Sequence, residues 1–216
     1  MKEHNVLFIN ACVRKESRTK RLADCLITKL SQRTADGNPA EGSRFAITDS
    51  EENFRFSVTE VRLEELHFPA ADEAFLEKRD RLLAEEAFDD PLFSLARQFA
   101  AADEIVVAAP YWDLSFPAAL KQYFEQINVT GITFRYNEQG IPEGLCRAGR
   151  IWYCTTAGGN YVPEDFGFGY VKALARGFYG IHDVRLVQAV GLDLYGADPE
   201  KIMKTAEEQL AEMKII

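Results

Sequence analysis

The sequence has few of the residue patterns that assign a protein to a class at once. Its four cysteines show no CxxC or CxxCH spacing, so we expect neither a metal site nor covalent haem attachment. The apolar run near the N-terminus is too short for a signal peptide or a membrane-spanning helix. We therefore expect a cytoplasmic protein with reduced thiols. The cysteines are Cys12, Cys25, Cys146 and Cys154.

Positive charge is also scarce. The 216 residues include 25 Lys and Arg against 34 Asp and Glu, for a formal net charge of -9. A surface that binds nucleic acid or an anionic membrane needs clustered positive charge. We therefore expect neither nucleic acid nor a membrane as a partner. The length suits a single domain over residues 1–216 with a well-buried core.

The stretch Val6–Leu22, VLFINACVRKESRTKRL, runs from an apolar strand into an amphipathic helix and contains no glycine. Both a mononucleotide P-loop and a dinucleotide-binding turn require glycines at fixed positions, so this loop is neither. A helix N-terminus still favours an anion, through its unpaired N–H groups and its dipole. Ser17 and Thr19 are the candidate hydroxyl donors to a phosphate, and Arg14 or Arg18 is the candidate source of positive charge. An ordinary loop with a Ser or Thr N-cap is the alternative.

Strand and helix patterns alternate along the rest of the chain. This alternation predicts a doubly wound α/β domain, with a five-stranded parallel sheet in the order 2-1-3-4-5 and helices on both faces. The strands are predicted at Val6–Ile9, Val58–Leu63, Glu104–Ala109, Arg150–Thr155 and Val184–Val190. The helices are predicted at Ser17–Gln32, within Asp72–Asp90, from Pro91 onward, and at Ala118–Ile127, Tyr170–Phe178 and Pro199–Met213.

Two segments interrupt this alternation. Residues 35–56 predict a long surface excursion, with a short hairpin formed by Phe45–Ile47 and Phe54–Phe56. Ile132–Gly144 predicts a second, turn-rich excursion that carries Phe134, Arg135 and Tyr136.

Two further loops are predicted at the edge of the sheet where the first loop lies. An aromatic loop, Pro110–Pro117, follows the third strand, and Thr156–Asn160 with its adjacent glycines follows the fourth. In an open α/β sheet, ligands bind beyond the carboxyl ends of the strands. Adjacent glycines let a backbone approach a flat ligand closely, although they also suit a simple turn.

Taken together, the sequence resembles the FMN-dependent NADH:quinone oxidoreductases and azoreductases, which have a flavodoxin-like fold. The most specific part is Ala108–Gly144, AAPYWDLSFPAALKQYFEQINVTGITFRYNEQGIPEG, which is similar to the family's AAPMYNFxxPxxLKxYFDxxxxxGxTFxYxxxGxxGL run. The resemblance implies bound FMN, NADH or NADPH as co-substrate, and a flat aromatic acceptor such as a quinone, azo or nitro compound. It also implies a homodimer.

The resemblance also implies roles for individual residues. The phosphate is held by Ser17, Arg18 and Thr19, and the substrate space is framed by Tyr136 and by Phe178 from the partner subunit. The other cofactor-binding candidates are Ala11, Pro110, Tyr111, Trp112, Asp113, Leu114, Thr156, Ala157, Gly158 and Gly159.

Two positions depart from the family pattern. Ala11 stands where the family usually has Ser, which removes one hydroxyl, and Asp113 stands where Asn is common. Tyr136 has a packed structural role as its alternative. Two other functions stay open: a flavodoxin-type one-electron carrier that does not react directly with NAD(P)H, and a flavin-free structural or regulatory α/β protein.

Overall fold

The computed structural model describes residues 2–32 and 54–213. Its strands are β1 (Lys2–Asn10), β2 (Phe54–Arg62), β3 (Glu104–Ala108), β4 (Phe134–Tyr136), β5 (Pro142–Gly144), β6 (Arg150–Thr156) and β7 (Asp183–Ala189). Its α-helices are α1 (Arg18–Ser31), α2 (Glu73–Ala84), α3 (Ser94–Ala101), α4 (Ala118–Ile127), α5 (Phe168–Leu174) and α6 (Pro199–Glu212).

Five strands form a parallel sheet in the order β2-β1-β3-β6-β7. Counted within this sheet alone, the order is 2-1-3-4-5, which confirms the predicted topology. Every residue of β3 is buried, because helices cover both faces at the centre of a doubly wound sheet. The strand order reverses at β1, so the chain leaves β1 and β3 toward opposite faces and opens a crevice between their carboxyl ends.

The core is divided between the two faces of the sheet. Phe8 packs with α1 and α6 on one face, while its neighbour Ile9 packs with α2 to α5 on the other. This division follows from the alternation of side chains along a strand. Helix α1 buries Leu22, Leu26 and Leu30, which recur at helical spacing on one face. Burial of each such leucine contributes about 1.5–3 kcal/mol to folding.

A buried carboxylate joins three strands at the amino edge of the sheet. Glu104, which begins β3, is 2% exposed and accepts a hydrogen bond of 2.6 Å from the Trp152 indole. His4 Nε2 lies 3.1 Å from the same carboxylate, and Arg150 binds Asp183 nearby. A buried charge is tolerated only when it is paired and hydrogen-bonded, as it is here.

The structure differs from the sequence predictions mainly in the connections. Phe54–Phe56 begins the parallel strand β2, and residues 45–47, the other half of the predicted hairpin, lie outside the described part of the chain. The second excursion contains an antiparallel hairpin of β4 and β5, whose turn is organised by Asn137 Oδ1. Helix α2, Glu73–Ala84, lies within the predicted range Asp72–Asp90.

Candidate functional site

Four loops leave the sheet at the carboxyl ends of β1, β3, β6 and β7. They span residues 11–17, 109–117, 157–167 and 190–198. The first three are the loops that the sequence predicts at this edge. Hydrogen bonds made by these loops or by the residues that flank them join the four into one connected surface.

The loop between β1 and α1 ends in a capped helix N-terminus. Ser17 Oγ accepts a hydrogen bond of 3.2 Å from the backbone N–H of Lys20. Capping uses only a lone pair of this oxygen, so the Ser17 hydroxyl proton stays available. The N–H groups of Arg18 and Thr19 have no acceptor among the described residues. An anion at this point therefore meets two backbone donors, a hydroxyl and the positive end of the helix dipole.

The end of β1 is held rigidly below this loop. Ala11 is buried and donates its N–H to the carbonyl of Ala108 at 2.9 Å. The Asn10 side chain accepts from the N–H of Cys12 at 2.9 Å and donates to Glu60 at 2.8 Å. Burial raises the pKa of the Cys12 thiol, so this cysteine is protonated at neutral pH and is not an activated nucleophile.

A pair of threonines ties the first loop to the end of β6. Thr19 Oγ1 lies 2.6 Å from Thr156 Oγ1, and both residues are buried. Each hydroxyl has one proton, so the donor of this bond has none left for another group. Thr19 can therefore donate to a phosphate only when Thr156 supplies the proton between them.

The aromatic loop after β3 contains a tight turn. The N–H groups of Trp112 and Ser115 each donate to the other residue's carbonyl, at 3.2 and 2.8 Å. Asp113 and Leu114 between them have φ values of 49° and 69°. Two successive left-handed residues define a type I′ turn, which is strained for side chains other than glycine. Such strain marks a candidate functional site, and Trp112 and Leu114 are 41% and 45% exposed there.

A backbone bond also joins the aromatic loop to β6. The N–H of Tyr111, which follows the half-buried Pro110, donates to the carbonyl of Thr156 at 3.1 Å. Burial and the Tyr161 phenol raise the pKa of Tyr111, so its hydroxyl stays protonated at neutral pH. Ser115 Oγ donates to the carbonyl of Phe166 at 2.9 Å, which fastens the same turn to the loop after β6.

The loop after β6 is seated against the loop after β7. Ala157 donates to the carbonyl of Ala189, and Asp193 donates to that of Gly158 at 2.9 Å. A Cβ on Gly158 would lie 2.4 Å from Asp193 Oδ2, so this glycine makes room for the neighbouring carboxylate. Nothing lies within 4 Å of the corresponding position on Gly159, which leaves that backbone open to a ligand.

The Arg18 side chain crosses to this same carboxylate. Its Nη1 and Nη2 donate to Asp193 Oδ1 at 3.1 and 3.0 Å. Asp193 is 63% exposed, so the pair lies at the rim of the site and is screened by solvent. The arrangement holds the guanidinium beside the N-terminus of α1.

Tyr136 and Phe178 lie away from these loops within one chain. Phe178 is at the end of the helical segment that leads into β7, and therefore near the amino edge of the sheet. Phe134 connects the two residues, with ring centroids 4.8 Å from Phe178 and 5.5 Å from Tyr136. Tyr136 is 53% exposed. A single copy therefore does not bring this pair to the candidate cofactor site.

The sequence predictions omitted the loop after β7, including Asp193. The rule that identified the other loops applies to it as well, because β7 ends at the same edge of the sheet. The sequence around Gly191-Leu192-Asp193 carries no aromatic or hydroxyl cluster to attract notice. Its role depends on contacts with Gly158 and Arg18, which are distant in sequence.

The described part of the chain shows neither a metal-binding cluster nor a membrane-spanning helix. Within residues 2–32 and 54–213, no group of three or more His, Cys, Asp or Glu side chains could hold a metal ion. No helix in that part of the chain has the length and apolar character to cross a membrane.

The fold and the site define a flavodoxin-like α/β protein whose first loop presents backbone N–H groups without acceptors and whose second loop exposes aromatic and apolar side chains. The family model for the flavodoxin-like fold matches residues 4–213, and the chain belongs to that family. It is 31% identical over 213 residues to an FMN-dependent NADH:quinone oxidoreductase of Clostridium beijerinckii, with 97% of each chain covered.

Two further comparisons agree with this assignment. FMN-dependent NADH:quinone oxidoreductase 2 of Clostridium acetobutylicum is 41% identical over 132 residues, which cover 59% of this chain and 65% of the relative, less than two thirds of its length. A solved FMN-dependent NADH-azoreductase from Bacillus anthracis, in complex with FMN, gives a TM-score of 0.72 at 21% identity. That superposition covers 97% of this chain and 96% of the azoreductase and shows the shared fold.

Proposed function

We propose that this protein is an FMN-dependent oxidoreductase that transfers hydride from NADH or NADPH to a quinone or a similar flat acceptor. The observation that carries the proposal is that a helix N-terminus with unpaired N–H groups and an exposed aromatic turn meet at one sheet edge. The full-length similarity to an FMN-dependent NADH:quinone oxidoreductase supports it. When bound, FMN supplies the hydride chemistry, and the protein supplies binding and orientation.

The donor set at the first loop fits a phosphomonoester. Arg18 and Thr19 supply unpaired backbone N–H groups, and Ser17 supplies a hydroxyl proton. The Arg18 guanidinium adds positive charge nearby, although Asp193 shares it. Ala11 contributes no hydroxyl, so the backbone and the helix dipole carry more of the binding than in a loop with serine there.

The second and third loops fit a flat ring system. The turn formed by Trp112, Asp113 and Leu114 is exposed, and the backbone at Gly159 is open. Tyr111 and Thr156 fix the spacing between these loops through a backbone hydrogen bond. In this proposal the turn and residues 156–159 border the isoalloxazine, and the same aromatic face receives the nicotinamide and then the acceptor.

We further propose that the protein is a cytoplasmic homodimer. Exposed apolar side chains at both the turn and the hairpin support an interface, among them Trp112, Leu114, Tyr136 and Ile141. In such a dimer Tyr136 and Phe178 of one copy border the acceptor space of the other. Sedimentation at micromolar concentration tests the assembly: dimers are expected, and monomers alone would contradict it.

Steady-state kinetics of the FMN-loaded protein test the activity. NADH and NADPH are each varied against a benzoquinone, an azo dye and a nitroarene. Parallel double-reciprocal lines are expected, because one face serves both substrates in turn. No turnover with any acceptor, in protein that retains FMN, would contradict the reductase. Protein that shows no thermal shift with added FMN would contradict the cofactor itself.

The Ser17→Ala/Thr19→Ala double variant tests the phosphate loop. Its FMN dissociation constant is expected to rise by about 10-fold or more, since charge-assisted hydrogen bonds contribute roughly 1.5–3 kcal/mol. Thr28→Ala on the exposed face of the same helix is the control, and its FMN affinity is expected to stay unchanged. Unchanged affinity in the double variant would place the phosphate elsewhere.

A further inference from the structure

A small cavity lies behind the aromatic loop, on the face of the sheet covered by α5. It has a volume of about 70 Å³. Its walls combine apolar side chains with several groups that form hydrogen bonds, and they include Tyr111, Tyr153, Thr155, Glu164, Phe168 and Gln188. Glu164 is exposed, so solvent can reach the cavity at that end.

Two buried hydroxyls in the cavity wall lack a hydrogen-bond partner in the described structure. They are Tyr111 Oη and Thr155 Oγ1, and Thr155 is 2% exposed. Burial raises the pKa of the Tyr153 phenol, which also lies in the wall, and the nearby Thr155 hydroxyl lowers that pKa by less than burial raises it. No hydrogen bond of good geometry joins the two hydroxyls. Leaving a buried hydroxyl unpaired costs about 1–3 kcal/mol, so each orphan requires an explanation.

The size of the cavity decides what can occupy it. About 10–15 Å³ of such space holds one water molecule, so the cavity has room for several. Waters in a polar cavity of this kind form two to four hydrogen bonds each, as the hydroxyls and the Gln188 amide allow.

The position of Thr155 gives such waters a consequence for the cofactor loops. Successive residues of a strand point to opposite faces, so Thr155 and Thr156 point away from each other at the end of β6. Thr156 binds Thr19 and thereby holds the first loop. Thr155 faces the cavity that it shares with Tyr111 of the aromatic loop. Adjacent threonines thus lie between the two loops.

We propose that this cavity is a binding site for internal water, which bridges Thr155 to Tyr111 and positions the aromatic loop. Thr155 is a positioning residue in this account, since it acts on the ligand site only through Tyr111. The water site stands on the geometry alone. The effect on FMN binding rests on the proposed function.

Hydroxyl removal tests the water site by the sign of its effect on stability. Tyr111→Phe and Thr155→Val remove a hydroxyl with little change of shape. If water satisfies these groups, each variant lowers the midpoint of urea unfolding of the apoprotein, by about 0.3–0.8 M. If the cavity is dry, each variant relieves a desolvation penalty and raises the midpoint, which would overturn the proposal.

Tyr123→Phe is the matched control. The Tyr123 hydroxyl is also buried without a partner, but it does not line this cavity. Its removal is expected not to lower the midpoint. A crystal structure at high resolution gives the direct readout: ordered water within hydrogen-bond distance of both Tyr111 Oη and Thr155 Oγ1 supports the proposal, and an empty or apolar-filled cavity refutes it.

FMN affinity tests the positioning role separately. Thr155→Val is expected to raise the FMN dissociation constant about 3- to 10-fold, and Thr155→Ser, which keeps the hydroxyl, is expected to restore it. Unchanged affinity in Thr155→Val would refute the positioning role even if water is present. If the wild-type protein does not bind FMN, the proposed function fails, while the unfolding midpoints still decide the water site.

Discussion

The threonine pair that joins the first loop to β6 supports a quantitative prediction. Thr19→Val removes one hydroxyl and leaves Thr156 Oγ1 buried without its partner at 2.6 Å. The variant loses a hydrogen bond of about 0.5–1.5 kcal/mol and leaves a polar group that costs about 1–3 kcal/mol. We expect a net destabilisation of about 2 kcal/mol, or about 4–8 °C in Tm for a protein of this size.

The Thr19→Val/Thr156→Val double variant separates this cause from general damage. Replacing both hydroxyls with methyl groups leaves no orphan, so the double variant is expected to be closer to wild type in stability than either single variant. Urea unfolding of the apoproteins gives the four free energies of the double-mutant cycle. Thr28→Val, at an exposed position on the same helix, is the control and is expected to stay within about 0.5 kcal/mol of wild type. Additive effects of the two single substitutions would refute the reasoning.

Three further predictions concern charged groups. Glu104→Ala removes the acceptor of the buried Trp152 indole N–H and is expected to lower the free energy of unfolding in urea by about 3–5 kcal/mol. A loss below about 1 kcal/mol would contradict the buried network. In FMN-loaded protein, Asp113→Asn is expected to raise the flavin midpoint potential in a potentiometric titration, because a carboxylate beside the ring opposes the negative charge gained on reduction; a lower potential would place the side chain elsewhere. Burial opposes ionisation of Asp183, but hydrogen bonds from Arg185 and Arg150 outweigh it and lower its pKa. Ionised Asp183 therefore stabilises the fold above about pH 4, and this contribution is lost as the pH falls through the lowered pKa. In Asp183→Asn the free energy of unfolding is expected to fall less steeply below about pH 4 than in wild type. An unchanged dependence on acid pH would contradict this.

The parts of the fold that the sequence predicted are those governed by local patterns. Helix α4 begins at Ala118 and ends at Ile127, as its apolar spacing indicates. After Glu104, strand β3 is an unbroken apolar run, which is typical of a parallel strand covered on both faces. Once strands and helices alternate, handedness and layer rules leave few topologies.

The parts that it did not predict depend on pairing between distant residues. Strands β4 and β5 have three residues each, too few for an alternating pattern to identify them. The early start of β2 at Phe54 reflects its pairing along the full length of β1. Propensity alone cannot give such a boundary.

The same distinction applies to the site. Ser17, Tyr111 and Thr156 lie in the predicted loops because each follows, or caps the helix after, a recognisable strand. The Arg18–Asp193 pair joins residues 175 positions apart, and no local pattern signals it. The contact between Gly158 and Asp193 is likewise invisible in the sequence, because the two residues are 35 positions apart.

The central claim is that this site binds FMN and that NAD(P)H reduces the bound flavin there. Anaerobic mixing of the FMN-loaded protein with NADH, and separately with NADPH, tests it most directly. We predict rapid two-electron loss of flavin absorbance with at least one of them, followed by full recovery when a quinone is added. Flavin that stays oxidised with both nucleotides, or that a chemical reductant brings only to a stable one-electron state, would contradict the claim and favour a one-electron carrier.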